Sequence, residues 1–414
     1  MNDSSTLDED LTEEQIYSPS GEVQPVKTDF CVLGGGIMGL ATACTLSETS
    51  DSQVLVLDRH GVGSEYSSSN DVNRVFRYSY GSDQLYTKMA VESQKLWRKL
   101  EEESGQELLL PTGLLLLQGA DENANRFNEA SYRTLSHLKL GADRLDKEDL
   151  KKRFPQFRSE EAFFDPHGGV LLASKALLAL ESLAKAAGVK FQQGQARDIV
   201  FEEHPYIKID TQEKIEFRKL VVTIGPWSNR LLRNGLTSIR PTRQQLVYFK
   251  PHGGLDHFRP NSCPVFFTDR HYGLPAAGID AVKLSPKELF ESVDPESAKR
   301  SVDDEQIVDC REACRRFVPD LADGEVVQTK VCLYDMTENS DFVMDKDPER
   351  TNVVYGYGFS GHGFKFAPLI GKLLAELTQD EKPGFNLERF SILPARRRTP
   401  ALGAHLGKGE YSGQ

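Results

Sequence analysis

Cysteine is scarce in this chain: six in 414 residues, at positions 31, 44, 263, 310, 314 and 332. With no CxxC pair and so low a density, a disulfide scaffold is excluded and a reduced intracellular protein is expected. Positive charge is also in deficit. Fifty Lys and Arg stand against 62 Asp and Glu, a formal net charge of -12, which argues against broad electrostatic binding to nucleic acid or an anionic membrane. Long apolar runs are missing too. The greasiest stretch, Leu108 to Leu117, is too short to cross a bilayer and is broken by Pro111 and Gly113. Residues 1–27 carry Asp8-Glu9-Asp10 and Glu13-Glu14 without the apolar core of a secretory signal, and Ser412-Gly413-Gln414 is not a peroxisomal tripeptide. The expectation is a soluble cytoplasmic protein with a disordered acidic tail over 1–27 and a flexible tail over 395–414.

What is present is a folded composition, 39% hydrophobic and 27% charged, too apolar for general disorder. At roughly 150 residues per domain the length allows two or three domains. Phe30-Cys31-Val32-Leu33 reads as a strand buried on both faces. Gly34-Gly35-Gly36 and an apolar helix from Ile37 to Leu46 follow, and a second strand, Gln53 to Leu57, ends in Asp58. That is a βαβ unit. Further helices are expected over Asp83–Glu103, Ser174–Ala187 and Pro368–Leu377, and strands over Lys219–Ile224 and Asn352–Tyr357. Short strand-like runs fill 106–117 and 236–300. Cys310 and Cys314 share a helix face without His partners, so core packing is expected there and no metal site.

Gly34-x-Gly36-x-x-Gly39 sits between strand and helix, with Asp58 nineteen residues after Gly39. The first glycine permits the tight turn, the second lets a pyrophosphate approach the backbone, and the third allows close helix–strand packing. The helix N-terminus attracts the phosphates, and Asp58 suits a ribose hydroxyl. The motif is that of a dinucleotide site and does not separate NAD from FAD.

Three more segments bear on that choice: Asn73-Arg74-Val75-Phe76-Arg77-Tyr78-Ser79-Tyr80-Gly81, Val331-Cys332-Leu333-Tyr334, and Gly358-Phe359-Ser360-Gly361-His362-Gly363-Phe364-Lys365-Phe366. With the N-terminal motif, they resemble the monomeric sarcosine oxidase family, which includes the pipecolate oxidases and belongs among the FAD-dependent amine oxidoreductases. The likeness runs from about Thr28 to about Thr378 and takes in Thr112 to Leu117, Arg153-Phe154-Pro155 and Gly225-Pro226-Trp227-Ser228-Asn229. It implies an α/β fold in which a Rossmann-like FAD domain is interleaved with a substrate domain on a mixed, largely antiparallel sheet. The corresponding division is 28–105, 155–235 and 325–390 for FAD, and 106–154 with 236–324 for substrate.

The resemblance also assigns residues. Cys332 matches the cysteine that bonds the flavin 8α carbon, a role that needs a thiolate. Gly361, His362, Gly363 and Phe364 fall along the flavin pyrimidine edge, where the dipole of the following helix favours negative charge; a buried, hydrogen-bonded structural role for His362 stands beside this. Arg74, Ser68, Ser69, Ile37, Met38, Arg59, Ala196, Gly225 and Trp227 belong to the cofactor side. Arg77 and Lys365 match the two cations that hold a substrate carboxylate. Lys283 matches the lysine that assists oxygen reduction, with an exposed strand lysine as the alternative, and Tyr334 lines the substrate pocket. The family Tyr near the amine appears as His271, and Leu284-Ser285-Pro286-Lys287 lacks the family His. Asn73 stands where sarcosine oxidases carry Thr. The implied activity is FAD-dependent oxidation of a secondary amine, an N-alkyl or cyclic amino acid, by hydride transfer to flavin N5, with oxygen reduced to hydrogen peroxide. Fructosyl amino acid oxidation and oxidative tailoring of a natural product remain open, as do an NAD-dependent dehydrogenase of another class and a flavoprotein that no longer turns over. The expected partners are a small-molecule amine and oxygen, with the protein a monomer or weak homodimer.

Overall fold

The computed structural model describes residues 25–286 and 291–394. Most of the N-terminal tail, the C-terminal tail at 395–414 and Lys287 lie outside the described residues.

Two sheets of eight strands carry the molecule. At the centre of the first is Val26–Leu33, parallel to Val54–Asp58 on one side and Lys214–Val222 on the other. Lys190–Gln193 and Val353–Tyr357 extend the parallel run outward. Because alternate residues of a strand face opposite ways, Phe30 and Val32 point into one core, while Cys31 and Leu33 point into another. Both faces are covered, which is why the strand reads as unbroken apolar sequence. Helix Ile37–Thr49 follows the first strand and packs between Ala173–Ala186 and Ala367–Thr378. It has apolar residues all round and no acidic residue in its first turn.

The second sheet runs in the order Glu325–Met336, Arg240–Lys250, Val282–Pro286, His271–Leu274, Val265–Phe267, Leu114–Leu117, Glu161–Asp165, Asp143–Asp146. All its pairings are antiparallel except that of Val265–Phe267 with Leu114–Leu117. Helix Asp304–Phe317 closes its outer core with Cys310 and Cys314. The expected mixed sheet is therefore present. Two strands differ from the sequence division: Glu161–Asp165 and Glu325–Met336 were grouped with the nucleotide-type elements but hydrogen-bond into this second sheet. The reason is register. Eleven residues of Glu325–Met336 pair with Arg240–Lys250, a long-range match that local pattern does not reveal.

A small third sheet, Arg74–Phe76, Gly169–Leu171 and Leu109–Leu110, bridges the two. It delivers Arg74 and Arg77 to the cleft between them.

Candidate active site

Between the sheets lies a cavity of about 350 Å³, a size typical of ligand sites. One end is built by the first βαβ unit. Gly34, Gly36, Ile37, Met38, Asp58 and Arg59 line it. Gly39 does not reach the cavity; it is where helix and strand touch. A methyl group on Gly39 would sit 1.9 Å from the Gly34 carbonyl oxygen and 2.8 Å from Thr223 Oγ1. Asp58 accepts the Gly35 N–H at 2.7 Å and the His60 N–H at 2.8 Å, and its remaining lone pairs are free for a sugar hydroxyl. Ser69 Oγ accepts the Ile37 N–H at 3.0 Å, and Ser68 Oγ donates to the Leu333 carbonyl at 2.6 Å. A helix start free of acidic side chains, a close-approach glycine turn and an acid at the next strand end together fit a dinucleotide.

Ala196, Gly225 and Trp227 line the same end. There Glu296 ties three cavity residues together: Arg59 at 2.7 Å, Arg230 at 2.9 Å and the Trp227 indole N–H at 2.9 Å. Burial works against the Glu296 carboxylate, but the bonds from Arg59 and Trp227 and the two guanidinium charges hold it below its usual range. Such a group contributes stability above its unfolded pKa and loses it as pH falls through the folded one. Glu296→Gln is therefore expected to lower the thermal midpoint at pH 7 by about 2 °C, on the order of 1 kcal/mol. The gap between variant and parent should close as the pH of the melt is taken down through the acid range.

Further along the cavity, Gly361, His362, Gly363, Phe364 and Lys365 form one wall. Gly361 has φ +74° and a Cβ there would meet the Tyr334 ring at 2.3 Å, so the turn is pressed against the second sheet. His362 is buried, with Nε2 3.0 Å from the Ser340 carbonyl and Nδ1 3.3 Å from the Tyr80 hydroxyl. Asp335 accepts the Gly358 N–H at 2.7 Å, and burial pushes its carboxyl up to about 6.

Four cations face the far end. The Arg77 guanidinium lies 3.9 Å from the Tyr80 ring centre and donates to the Ser79 carbonyl. Lys365 donates to the Tyr80 hydroxyl at 3.0 Å and the His362 carbonyl at 2.6 Å. No carboxylate among the described residues pairs with it, and burial together with Arg77 pushes its ammonium well below the usual lysine range. Lys283 is buried, not an exposed strand lysine, and donates to Asp71 at 2.9 Å. Arg74 donates to the Ser68 carbonyl at 2.9 Å and reaches Cys332 Sγ at 3.4 Å. Cys332 itself is 3% exposed and packs with Leu246, Tyr248 and Ala281 immediately behind Arg74.

One expected residue is misplaced. His271 points away from the cavity, with Nε2 2.6 Å from Asp309 on the outer helix. Its neighbour Tyr272 lines the cavity instead, beside Tyr334 and Phe267. A one-residue step along a strand changes the face. Tyr272, Thr223, Asp335 and Asp71 were not singled out in the sequence; the alternation of His271–Leu274 was the signal available for the first of them.

A family model described as FAD dependent oxidoreductase matches residues 29–377. The chain belongs to this FAD dependent oxidoreductase family. The cofactor of the glycine motif is thus FAD, which decides between the two dinucleotides it allows. Among relatives, the human peroxisomal sarcosine oxidase is 33% identical over 397 residues, 91% of this chain and 98% of that protein. The monomeric sarcosine oxidase of Bacillus sp. (strain B-0618) is 30% identical over 393 residues, 92% of this chain and 98% of its own length. Among solved structures, the deglycating enzyme fructosamine oxidase from Aspergillus fumigatus (Amadoriase II) superposes with a TM-score of 0.78 at 22% identity, covering 92% of this chain and 93% of that one. This last likeness is one of fold. No helix of the described residues is long and apolar enough to cross a membrane.

Proposed function

We propose that the protein is an FAD-dependent oxidase of a secondary amine, an N-alkyl or cyclic amino acid, that releases hydrogen peroxide. The observation that carries this is a single cavity holding the dinucleotide turn at one end and Arg77, Lys365 and Lys283 at the other. Bound FAD supplies a hydride acceptor for the carbon next to nitrogen and returns the electrons to oxygen.

The chain's own residues bind and orient. Two fixed cations at one wall suit a carboxylate, and Arg77 can engage it through two parallel N–H bonds. Tyr80 touches both cations and spaces them. With the carboxylate held, the amine end extends toward Tyr272 and Tyr334, whose rings exclude water from the reacting carbon. Anion binding also returns charge balance to Lys365, whose ammonium is otherwise buried without an anion. Lys283, on the opposite side beside Arg74, presents positive charge where oxygen takes up electrons.

Cys332 is the proposed tether of the cofactor, through a thioether. The Arg74 guanidinium donates toward the Cys332 sulfur at 3.4 Å, so a cation stands beside the atom that the attachment would use. Acid precipitation tests it: yellow colour stays with the denatured parent and passes into the supernatant for Cys332→Ser. Colour in the supernatant for the parent rejects the tether. A peroxide-coupled screen of sarcosine, pipecolate, proline, N-methyl amino acids and fructosyl amines tests the activity, with turnover expected on a secondary amine that carries a carboxylate.

A further inference from the structure

Behind the cavity wall lies a buried carboxylate that none of these roles uses. The Asp71 side chain is 0% exposed, and both its oxygens are occupied. Oδ1 accepts the Val72 N–H at 2.8 Å and the Tyr248 hydroxyl. Oδ2 accepts Lys283 Nζ at 2.9 Å and pairs with Arg74. Lys283 and Arg74 line the cavity and Asp71 does not, so the carboxylate meets the reaction space only through these two cations. The segment around it is pinned as well. The Asp71 carbonyl accepts the Ser174 hydroxyl at 2.7 Å, and the Asn73 carbonyl accepts Lys283 Nζ at 2.5 Å.

Apart from Asp71, the groups that face Lys283 are two cations, three tyrosines and the Cys332 sulfur. Arg74 comes from the bridging sheet, Tyr248 from Arg240–Lys250, Tyr272 from His271–Leu274, and Lys330, Cys332 and Tyr334 from Glu325–Met336. Burial and the Arg74 guanidinium both press the Lys283 ammonium toward loss of its proton. The Cys332 sulfur acts the other way, and the Asp71 carboxylate is the anion in direct hydrogen-bond contact with the ammonium, at 2.9 Å. Arg74 keeps its charge at any working pH, whereas a lysine keeps its charge only if its neighbours favour it.

We propose that Asp71 is a positioning residue for the oxygen-consuming half of the reaction: its carboxylate fixes the Lys283 ammonium at the cavity wall and keeps it charged. This rests on the role of Lys283 given under the proposed function. It places the control of that lysine in the loop before Arg74–Phe76, on a residue outside the cavity.

The test reduces the holoenzyme with dithionite, so that no substrate need be known, and mixes it rapidly with oxygenated buffer between about pH 6 and 9. Return of the oxidised flavin absorbance gives the rate constant for the parent, Asp71→Asn and Lys283→Met. The parent should hold a level rate, and Lys283→Met should be slower on the order of 10²-fold at every pH. Asp71→Asn, which keeps the shape, should match the parent near the acid end and fall toward Lys283→Met as pH rises. A merely structural role would give a pH-independent change. If Lys283→Met reoxidises like the parent, the reading of Lys283 fails. If Lys283→Met is slow but Asp71→Asn follows the parent at every pH, the Asp71 proposal fails and Lys283 stands. Should Asp71→Asn not retain flavin, the parent profile decides: a level rate supports the proposal, and a fall with an apparent pKa near 7 overturns it.

Discussion

Arg77→Met should lower kcat/KM for a carboxylate-bearing substrate by on the order of 10²-fold, mostly through KM, while leaving an amine that lacks the carboxylate almost unaffected. A charge-assisted bond is worth about 1.5–3 kcal/mol, and losing it in a buried site leaves the anion partly unpaired as well. Lys365→Met should behave alike. The double variant should lose less than the sum, because both cations hold one anion. The pH dependence follows from Lys365. Burial and Arg77 push its ammonium below the usual range, so KM for the carboxylate substrate should rise with pH as that proton is lost. Arg77→Met removes one of the two causes, and its rise should come at higher pH. Steady-state kinetics on the paired substrates across pH measures all of this. A KM unchanged in Arg77→Met would remove the anchor.

The second large effect concerns packing far from the chemistry. Gly39→Ala places a methyl group 1.9 Å from the Gly34 carbonyl oxygen, in backbone that forms the glycine turn lining the cavity. The turn cannot yield without dragging Gly34 and Gly36 out of the cavity, and overpacking of this kind costs about 1–3 kcal/mol even where neighbours can move. The variant should be recovered largely without flavin and with a thermal midpoint several degrees lower, read from the visible-to-ultraviolet absorbance ratio and a melting curve. Full flavin content at an unchanged midpoint would show that the third glycine is not the contact it is described to be. Gly39 thus acts by packing, and the cavity senses it through Gly34 and Thr223.

How far the sequence foretold this depends on the range of each interaction. The first βαβ unit was legible because strand, glycine turn, helix and acid are neighbours in the chain, and their geometry is local. The same holds for Gly361 to Lys365, a turn leading into a helix. Residues that reach the cavity by sheet register were harder. Tyr272 was missed and His271 chosen in its place because a single residue decides the face, and only the pairing with Val282–Pro286 fixes which face is inward. Glu325–Met336 carries Cys332 and Tyr334 on one face, as alternation allows, yet the sheet it joins depends on Arg240–Lys250, about eighty residues earlier. Asp71 gave no signal at all. It sits in a polar run, and its partners come from strands that begin about 170 and 210 residues later. Glu296 is similar: an exposed-looking acid whose meaning is the three cavity residues it gathers.

These cases share a cause. Main-chain geometry and apolar periodicity write themselves into nearby residues, whereas buried charge networks are assembled by tertiary contacts. Here the network has two parts of different purpose. One, Arg77 with Lys365 on Tyr80, sets two buried cations at one wall of the cavity and suits an anionic ligand. The other, Lys283 with Arg74 on Asp71, is already paired and holds its cations in place.

The most direct measurement is anaerobic mixing of the holoenzyme with an N-alkyl or cyclic amino acid, followed by admission of air. The account predicts that the flavin absorbance bleaches without oxygen, then returns on aeration with one peroxide formed per flavin. Flavin that stays oxidised through the whole series of secondary amines would contradict it.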